Sequence, residues 1–84
     1  MSKYFITFRS VTYAQRGEAA LHSAGIRCVL GRAPRDMEER GCGYRLSLGG
    51  ESVARALETL RAKQVPFRKV YVRWENGNAE EVVL

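Results

Sequence analysis

The chain has 84 residues, 45% hydrophobic and 27% charged, with a formal net charge of +5. That length makes one domain, 1–84, burying about 60% of its unfolded surface, and leaves little room for an enclosed active site with many groups. The positive charge, carried by eleven arginines and three lysines, suits an anionic partner of some kind, and no apolar run approaches the roughly 18 residues of a membrane span.

Met1-Ser2-Lys3 runs directly into an alternating segment without an apolar h-region, so no signal peptide is expected. Lys3 to Arg9 is rich in β-formers, with Tyr4, Ile6 and Phe8 on one face and Lys3, Phe5, Thr7 and Arg9 on the other; it predicts a strand. Ser10 can cap a helix in which Val11, Ala14, Ala20, Leu21 and Ala24 form the apolar stripe, with Gly25 ending it. Gly17 either weakens this helix or lets it approach a sheet closely. His22 falls on the exposed surface of the same helix. Ile26 to Leu30 resumes the alternation, turning Ile26, Cys28 and Leu30 inward.

Gly31 to Gly41, containing Pro34 and the charged run Arg35 to Arg40, has no apolar period and reads as an exposed connection, longer than a hairpin needs. Tyr44 to Leu48 predicts a strand with Tyr44, Leu46 and Leu48 on the core side. After Gly49-Gly50, a helix is expected from Glu51 to Lys63, with Val53, Ala54, Leu57 and Leu60 inward and Arg55, Glu58 and Arg61 outward, stopped by Val65-Pro66. Phe67 to Trp74 predicts a further strand. Asn76-Gly77 suggests a type I′ turn into Glu80 to Leu84, a register that sets Arg73 opposite Glu80. The order strand, helix, strand, strand, helix, strand predicts an α+β, ferredoxin-like βαββαβ domain: an antiparallel four-stranded sheet with two helices on one face and a short C-terminal edge strand. The other face is expected to be open, carrying Lys3, Phe5, Thr7, Arg9, Arg27, Val29, Arg45 and Ser47.

Cys42 is the residue whose context points to chemistry. In Arg40-Gly41-Cys42-Gly43-Tyr44 it stands between two glycines, which crowd the thiol with no Cβ and can aim successive N–H groups at one point. Such a nest favours a thiolate, as do Arg32, Arg35, Arg40 and Arg45, while Asp36, Glu38 and Glu39 oppose it. The competing reading makes Cys42 a small apolar filler at a strand start. With no C-x-x-C and a single histidine, a zinc site, a disulfide scaffold and a cysteine hydrolase are all disfavoured. An isolated thiolate can still exchange onto sulfur or selenium, which needs only the thiolate and a good leaving group. The low cysteine count suits a reducing cytoplasm.

Pro34-Arg35, a polar spacer and Cys42-Gly43 ahead of a strand, with Tyr4 to Phe8 and Ala24-Gly25-Ile26 before it, resemble a family of small bacterial and archaeal selenium/sulfur carrier proteins, over roughly residues 3 to 73. The resemblance implies a carrier and not an enzyme. It holds the chalcogen covalently on Cys42 as a persulfide or selenosulfide, needs no cofactor or metal, and works in the cytoplasm between donor and acceptor proteins. Gly41, Gly43, Tyr44, Pro34, Arg35 and Arg40 would frame its binding site. The family's small or hydroxyl residues ahead of Cys-Gly are replaced here by Glu38-Glu39-Arg40.

Two other classes compete. Arg40 to Tyr44 partly matches the opening of an RNA-recognition motif and Phe5 stands where an aromatic would stack a base. In that motif, however, the positions held here by Arg45 and Ser47 are buried, and Cys42 replaces a stacking aromatic, so nucleic-acid binding through the open basic face is disfavoured. A regulatory domain binding a small anion at the loop after Gly31 is the other alternative. No membrane partner is expected, and pairing of edge strands could make a homodimer.

Overall fold

The computed structural model describes residues 2–34 and 43–82. Strands β1 (Lys3–Phe8), β2 (Val29–Arg32), β3 (Tyr44–Gly49), β4 (Val70–Arg73) and β5 (Ala79–Val82) and helices α1 (Val11–Ser23) and α2 (Val53–Ala62) follow one another in the expected order, with a 3-10 turn at Gly50–Ser52 leading into α2. The sheet runs β2-β3-β1-β4-β5 with every neighbouring pair antiparallel. The first four strands have the ferredoxin-like arrangement, and β5 extends it beyond β4.

The sheet face formed by Ile6, Phe8, Leu46, Leu48 and Val70 packs against Ala14 and Leu21 of α1 and Ala56, Leu57 and Leu60 of α2. Phe8, Ile6, Leu21, Leu46 and Leu60 are fully buried, each contributing about 1.5–3 kcal/mol relative to exposure. Gly17 is what lets α1 sit this close: a Cβ there would lie 2.9 Å from Phe8 Cζ and 3.3 Å from Leu46 Cδ1. Two members of the expected stripes differ. Val11, in the first turn of α1, is exposed, and Ala54 is exposed while Ala56 is buried. The spacing Val53, Ala56, Leu57, Leu60 keeps one face, and Ala54 lies outside it.

Ser10 caps α1 as expected, its Oγ accepting from the Tyr13 N–H at 3.3 Å. Both helices then end in the same way. At α1 the Gly25 N–H donates to His22 C=O and the Ile26 N–H to Leu21 C=O (3.0 and 2.9 Å). At α2 the Gln64 N–H donates to Arg61 C=O and the Val65 N–H to Leu60 C=O (3.1 and 2.9 Å). Each is a Schellman motif with its apolar pair, Ile26 with Leu21 and Val65 with Leu60, inside the core. Gly25 takes the left-handed position at φ 76°, whereas α2 puts Gln64 there at φ 56°. The stop at α2 is therefore made one step before the expected Val65-Pro66.

Three further expectations are corrected. The strand expected from Ile26 begins to pair only at Val29, because the Ile26 N–H is committed to closing α1; Ile26 and Cys28 are nonetheless buried. The turn at Asn76-Gly77 is not type I′, since Gly77 (φ 91°) is left-handed and Asn76 is not. The Gly77 N–H donates to Trp74 C=O and the Trp74 N–H to Asn78 C=O (2.9 and 2.8 Å), which closes a three-residue loop. The odd loop length shifts the register by one, so Arg73 faces Ala79 and Glu80 faces Val72.

The helix-free face is also not open in the way expected. Phe5, Thr7 and Ser47 are only 7%, 5% and 6% exposed. The guanidinium carbons of Arg45 and Arg73 lie 5.6 and 5.8 Å from the Phe5 ring centroid, and Arg45 Nη1 donates to Val29 C=O at 2.8 Å. Long arginine side chains thus lie along the sheet and cover it. Lys3 and Val29 remain exposed, while Arg9 and Arg27 stand outside the strands.

Candidate functional site

The segment that carries Cys42 joins β2 to β3, which are neighbours in the sheet. Its base is closed by the Arg32–Tyr44 pair and by one more bond, in which the Ala33 N–H donates to Gly43 C=O at 3.0 Å. Ala33 and Gly43 are buried and Pro34 is half-buried. Cys42 itself, with Gly41, Arg35 and Arg40, lies outside the described residues, as do Asp36, Glu38 and Glu39. Gly43 is the fixed point nearest to the thiol: its carbonyl is tied to β2 and the next residue enters β3.

Tyr44 is half-buried and packs on the helix side of the sheet. The Arg32 guanidinium carbon lies 5.8 Å from its ring centroid, which holds one cation at the base of the loop. Arg45 does not join it. Its side chain is on the opposite face, bonded to Val29 C=O and 3.4 Å from Ser47 Oγ. Of the two described arginines expected to favour the thiolate, only Arg32 stands at the base of the loop. Adjacent strand positions alternate in direction, and Tyr44 and Arg45 are consecutive.

Cys28, the other thiol, is buried against the core. Burial, and secondarily the negative charge of Glu18, push its pKa up from 9.0 to about 11. It is a packing residue at neutral pH, as its inward phase suggested. His22 is exposed as expected, with its ring Nε2 3.4 Å from the Cys28 carbonyl oxygen. Among the described residues no three histidine, cysteine, aspartate or glutamate side chains gather to hold a metal ion, and no helix is long and apolar enough to cross a membrane.

Among the described residues, surface hollows lie at either end of β1. One of about 580 Å³, lined among others by Lys3, His22, Arg27 and Gly49, lies at the end of β1 remote from the Cys42 loop, since Lys3 pairs with Gly49. The other, of about 420 Å³, lies by Arg9 and Arg68, at the end where Phe8 pairs with Tyr44 and Gly43 leads into β3. This second hollow is not legible in the sequence, where Arg9 falls in phase with β1 and residues 67–74 have the pattern of an unbroken strand. An apolar-to-charged switch at Pro66 to Lys69 was the signal available.

Residues 3–72 match the family model described as "Putative Se/S carrier protein-like". The match runs from β1 into β4, taking in both helices and the Pro34 to Gly43 segment, and ends before β5. No curated protein matches the sequence. With most of its length inside that match, the chain belongs to the Se/S carrier protein-like family.

Proposed function

We propose that the protein carries a sulfur or selenium atom on Cys42 between a donor and an acceptor protein, as a carrier and not as an enzyme, in a reducing cytoplasm and without a bound cofactor. The family match across the segment holding Cys42 carries this reading. Two features support it. Cys28 is buried and its pKa is raised, so its thiol stays protonated and enclosed, leaving Cys42 as the chain's other thiol. The anchored Ala33–Gly43 base would present Cys42 at the edge of the sheet, one residue from a fixed backbone point.

In the loading step the Cys42 thiolate attacks the terminal sulfur or selenium of a donor persulfide or selenopersulfide. The Cys42 S–S or S–Se bond forms as the donor's corresponding bond breaks, and the donor leaves as its thiolate, with no net oxidation. Unloading repeats the exchange, with the acceptor thiolate attacking the outer atom and Cys42 leaving. Glycines 41 and 43, having no Cβ, would admit the attacking group, and backbone N–H groups near Cys42 would stabilise the outer anion. Pro34, Arg35 and Arg40 would frame the approach, and Arg32, held on Tyr44, would add positive charge at its base.

The test is intact-mass analysis after incubation with a cysteine desulfurase and cysteine. The wild-type chain should gain one sulfur atom that a reductant removes, and Cys42→Ser should gain none. Loading that persists in Cys42→Ser and vanishes in Cys28→Ser would overturn the assignment. RNA recognition through the helix-free face is the weaker reading, because Phe5 is covered by Arg45 and Arg73 and has no free ring face to offer a base.

A further inference from the structure

At the end of the sheet where Lys3 pairs with Gly49, the hollow of about 580 Å³ is opened by a strand that starts late. β3 runs to Gly49 beside β1, while its pairing with β2 begins only at Val29–Ser47. Leu48 and Gly49 therefore have a strand on the β1 side and, among the described residues, none on the other. Residues 26–28, which could have supplied one, are drawn away because the Ile26 N–H closes α1. The Ala33–Gly43 bond sets which residues of β3 turn their backbone groups towards β2, and every second residue repeats it. Gly49 is one of these, so its N–H faces the gap with no strand opposite.

The lining combines apolar surface with positive charge. Val29, at 63%, is the most exposed large apolar side chain among the described residues, and it lines the hollow together with Ile26 and Leu48. Lys3 and Arg27 are exposed and line it too, and among the described residues neither side chain is held by a hydrogen bond or an ion pair. His22 also lines it, with its Nε2 turned to Cys28 C=O. Two carboxylates stand near without lining the hollow. The charge of Glu18 reaches Cys28, and the Glu51 carboxylate lies so close over Gly49 that a Cβ there would be 2.6 Å from its oxygens. They temper the positive field, which then suits one negative charge better than two.

We propose that this hollow binds a small carboxylate with an apolar body, of the medium-chain fatty acid type. The carboxylate meets the positive charge of Lys3 and Arg27 and the N–H of Gly49, and the hydrocarbon covers Val29 and the edges of Ile26 and Leu48. At about 580 Å³ the hollow is of the size that takes a small organic ligand. Binding here does not depend on sulfur or selenium transfer at Cys42.

The probe is octanoate, titrated into the full chain and followed by amide chemical shifts, with acetate and octanol as separate arms. Octanoate should move the Arg27, Val29 and Gly49 amides saturably. It should bind at least about tenfold more tightly than acetate, which lacks the body, or octanol, which lacks the charge. Lys3→Gln and Arg27→Gln combined should weaken it at least about tenfold and Val29→Ser about threefold, while Glu51→Gln should tighten it about threefold. Arg61→Gln on the outer face of α2 and Cys42→Ser should leave it unchanged. Equal affinity for octanol, shifts spread over all basic residues, or indifference to both the paired cation change and Glu51→Gln would overturn the proposal. Because binding is also read in a chain that cannot be loaded at Cys42, its failure is distinct from failure of the carrier reading.

Discussion

Arg45 on β3 holds its guanidinium carbon 5.6 Å from the centroid of the Phe5 ring on β1, diagonally across the ladder in which Phe5 pairs with Ser47. Its Nη1 is fixed by Val29 C=O, while Nε is buried with no partner among the described residues. The side chain is thus held by Val29 C=O, by a longer bond of 3.4 Å to Ser47 Oγ and by the ring. Arg45→Ala should destabilise the fold by about 1–2 kcal/mol in urea denaturation, through the lost stack, the lost bond and the uncovered ring. Arg45→Lys, which lacks the planar group, should recover less than half of that.

The same contact bears on nucleic acid. Single-stranded RNA should bind weakly, without sequence preference and with affinity falling steeply as salt rises, because exposed Lys3, Arg9 and Arg27 can meet phosphates while Phe5 is covered. Phe5→Ala should lower stability and leave RNA affinity unchanged in fluorescence anisotropy. Sequence-selective, sub-micromolar binding at about 150 mM salt that is lost in Phe5→Ala would contradict the carrier reading.

Cys28 should resist iodoacetamide in the folded chain at neutral pH, while Cys42 reacts, as peptide mass spectrometry would resolve. The Cys28 pKa is raised in the fold, so the folded state holds its proton more tightly than the unfolded chain does. Its contribution to stability is therefore complete below about pH 9 and is lost as pH rises towards about 11. Denaturation midpoints measured across that window should fall, and Cys28→Ala should flatten the slope while lowering stability throughout. Comparable alkylation of both thiols would contradict the inward assignment.

Past the Ile6–Val70 pair, both Arg68 and Lys69 oppose the single residue Thr7, which makes a bulge. Thr7 serves it with its side chain as well as its backbone, since Oγ1 accepts from the Lys69 N–H and lies 3.2 Å from Lys69 C=O. Thr7→Val keeps the shape and removes the acceptor, which should cost about 1–3 kcal/mol. Hydrogen exchange at the Lys69 amide should quicken more than at Val70, where the regular ladder resumes.

Gln64 occupies the left-handed position that ends α2, at φ 56°. Gln64→Gly removes the Cβ penalty of that conformation and should raise stability by about 0.5–1 kcal/mol, net of the greater freedom of the unfolded glycine. Thermal unfolding checks the sign; a fall would mean that the Gln64 side chain makes compensating contacts.

Much of the fold was present in one-dimensional pattern. The alternation Tyr44, Leu46, Leu48 set which side of β3 meets the helices, Ser10 and Gly25 marked both ends of α1, and the phase of Cys28 put it in the core, because each signal needs only residues a few positions apart. The proposed carrier thiol was likewise read from local context, the two glycines around Cys42, while the Ala33–Gly43 bond at the base of its loop is a contact between strands that no local pattern contains. Tertiary structure decided the rest. Gln64 is left-handed because Val65 must reach the core beside Leu60, which local preference alone would have assigned to glycine. Arg73 lost Glu80 to a single extra loop residue, and a slip of one exchanges every cross-strand partner. Phe5 became buried because arginines from β3 and β4, distant in sequence, lie over it, and Arg9 and Arg68 line one hollow only where a bulge opposite Thr7 broke the alternation. Side chains long enough to cross a strand, and backbones that depart from their period, take their places from neighbours that only the folded sheet supplies.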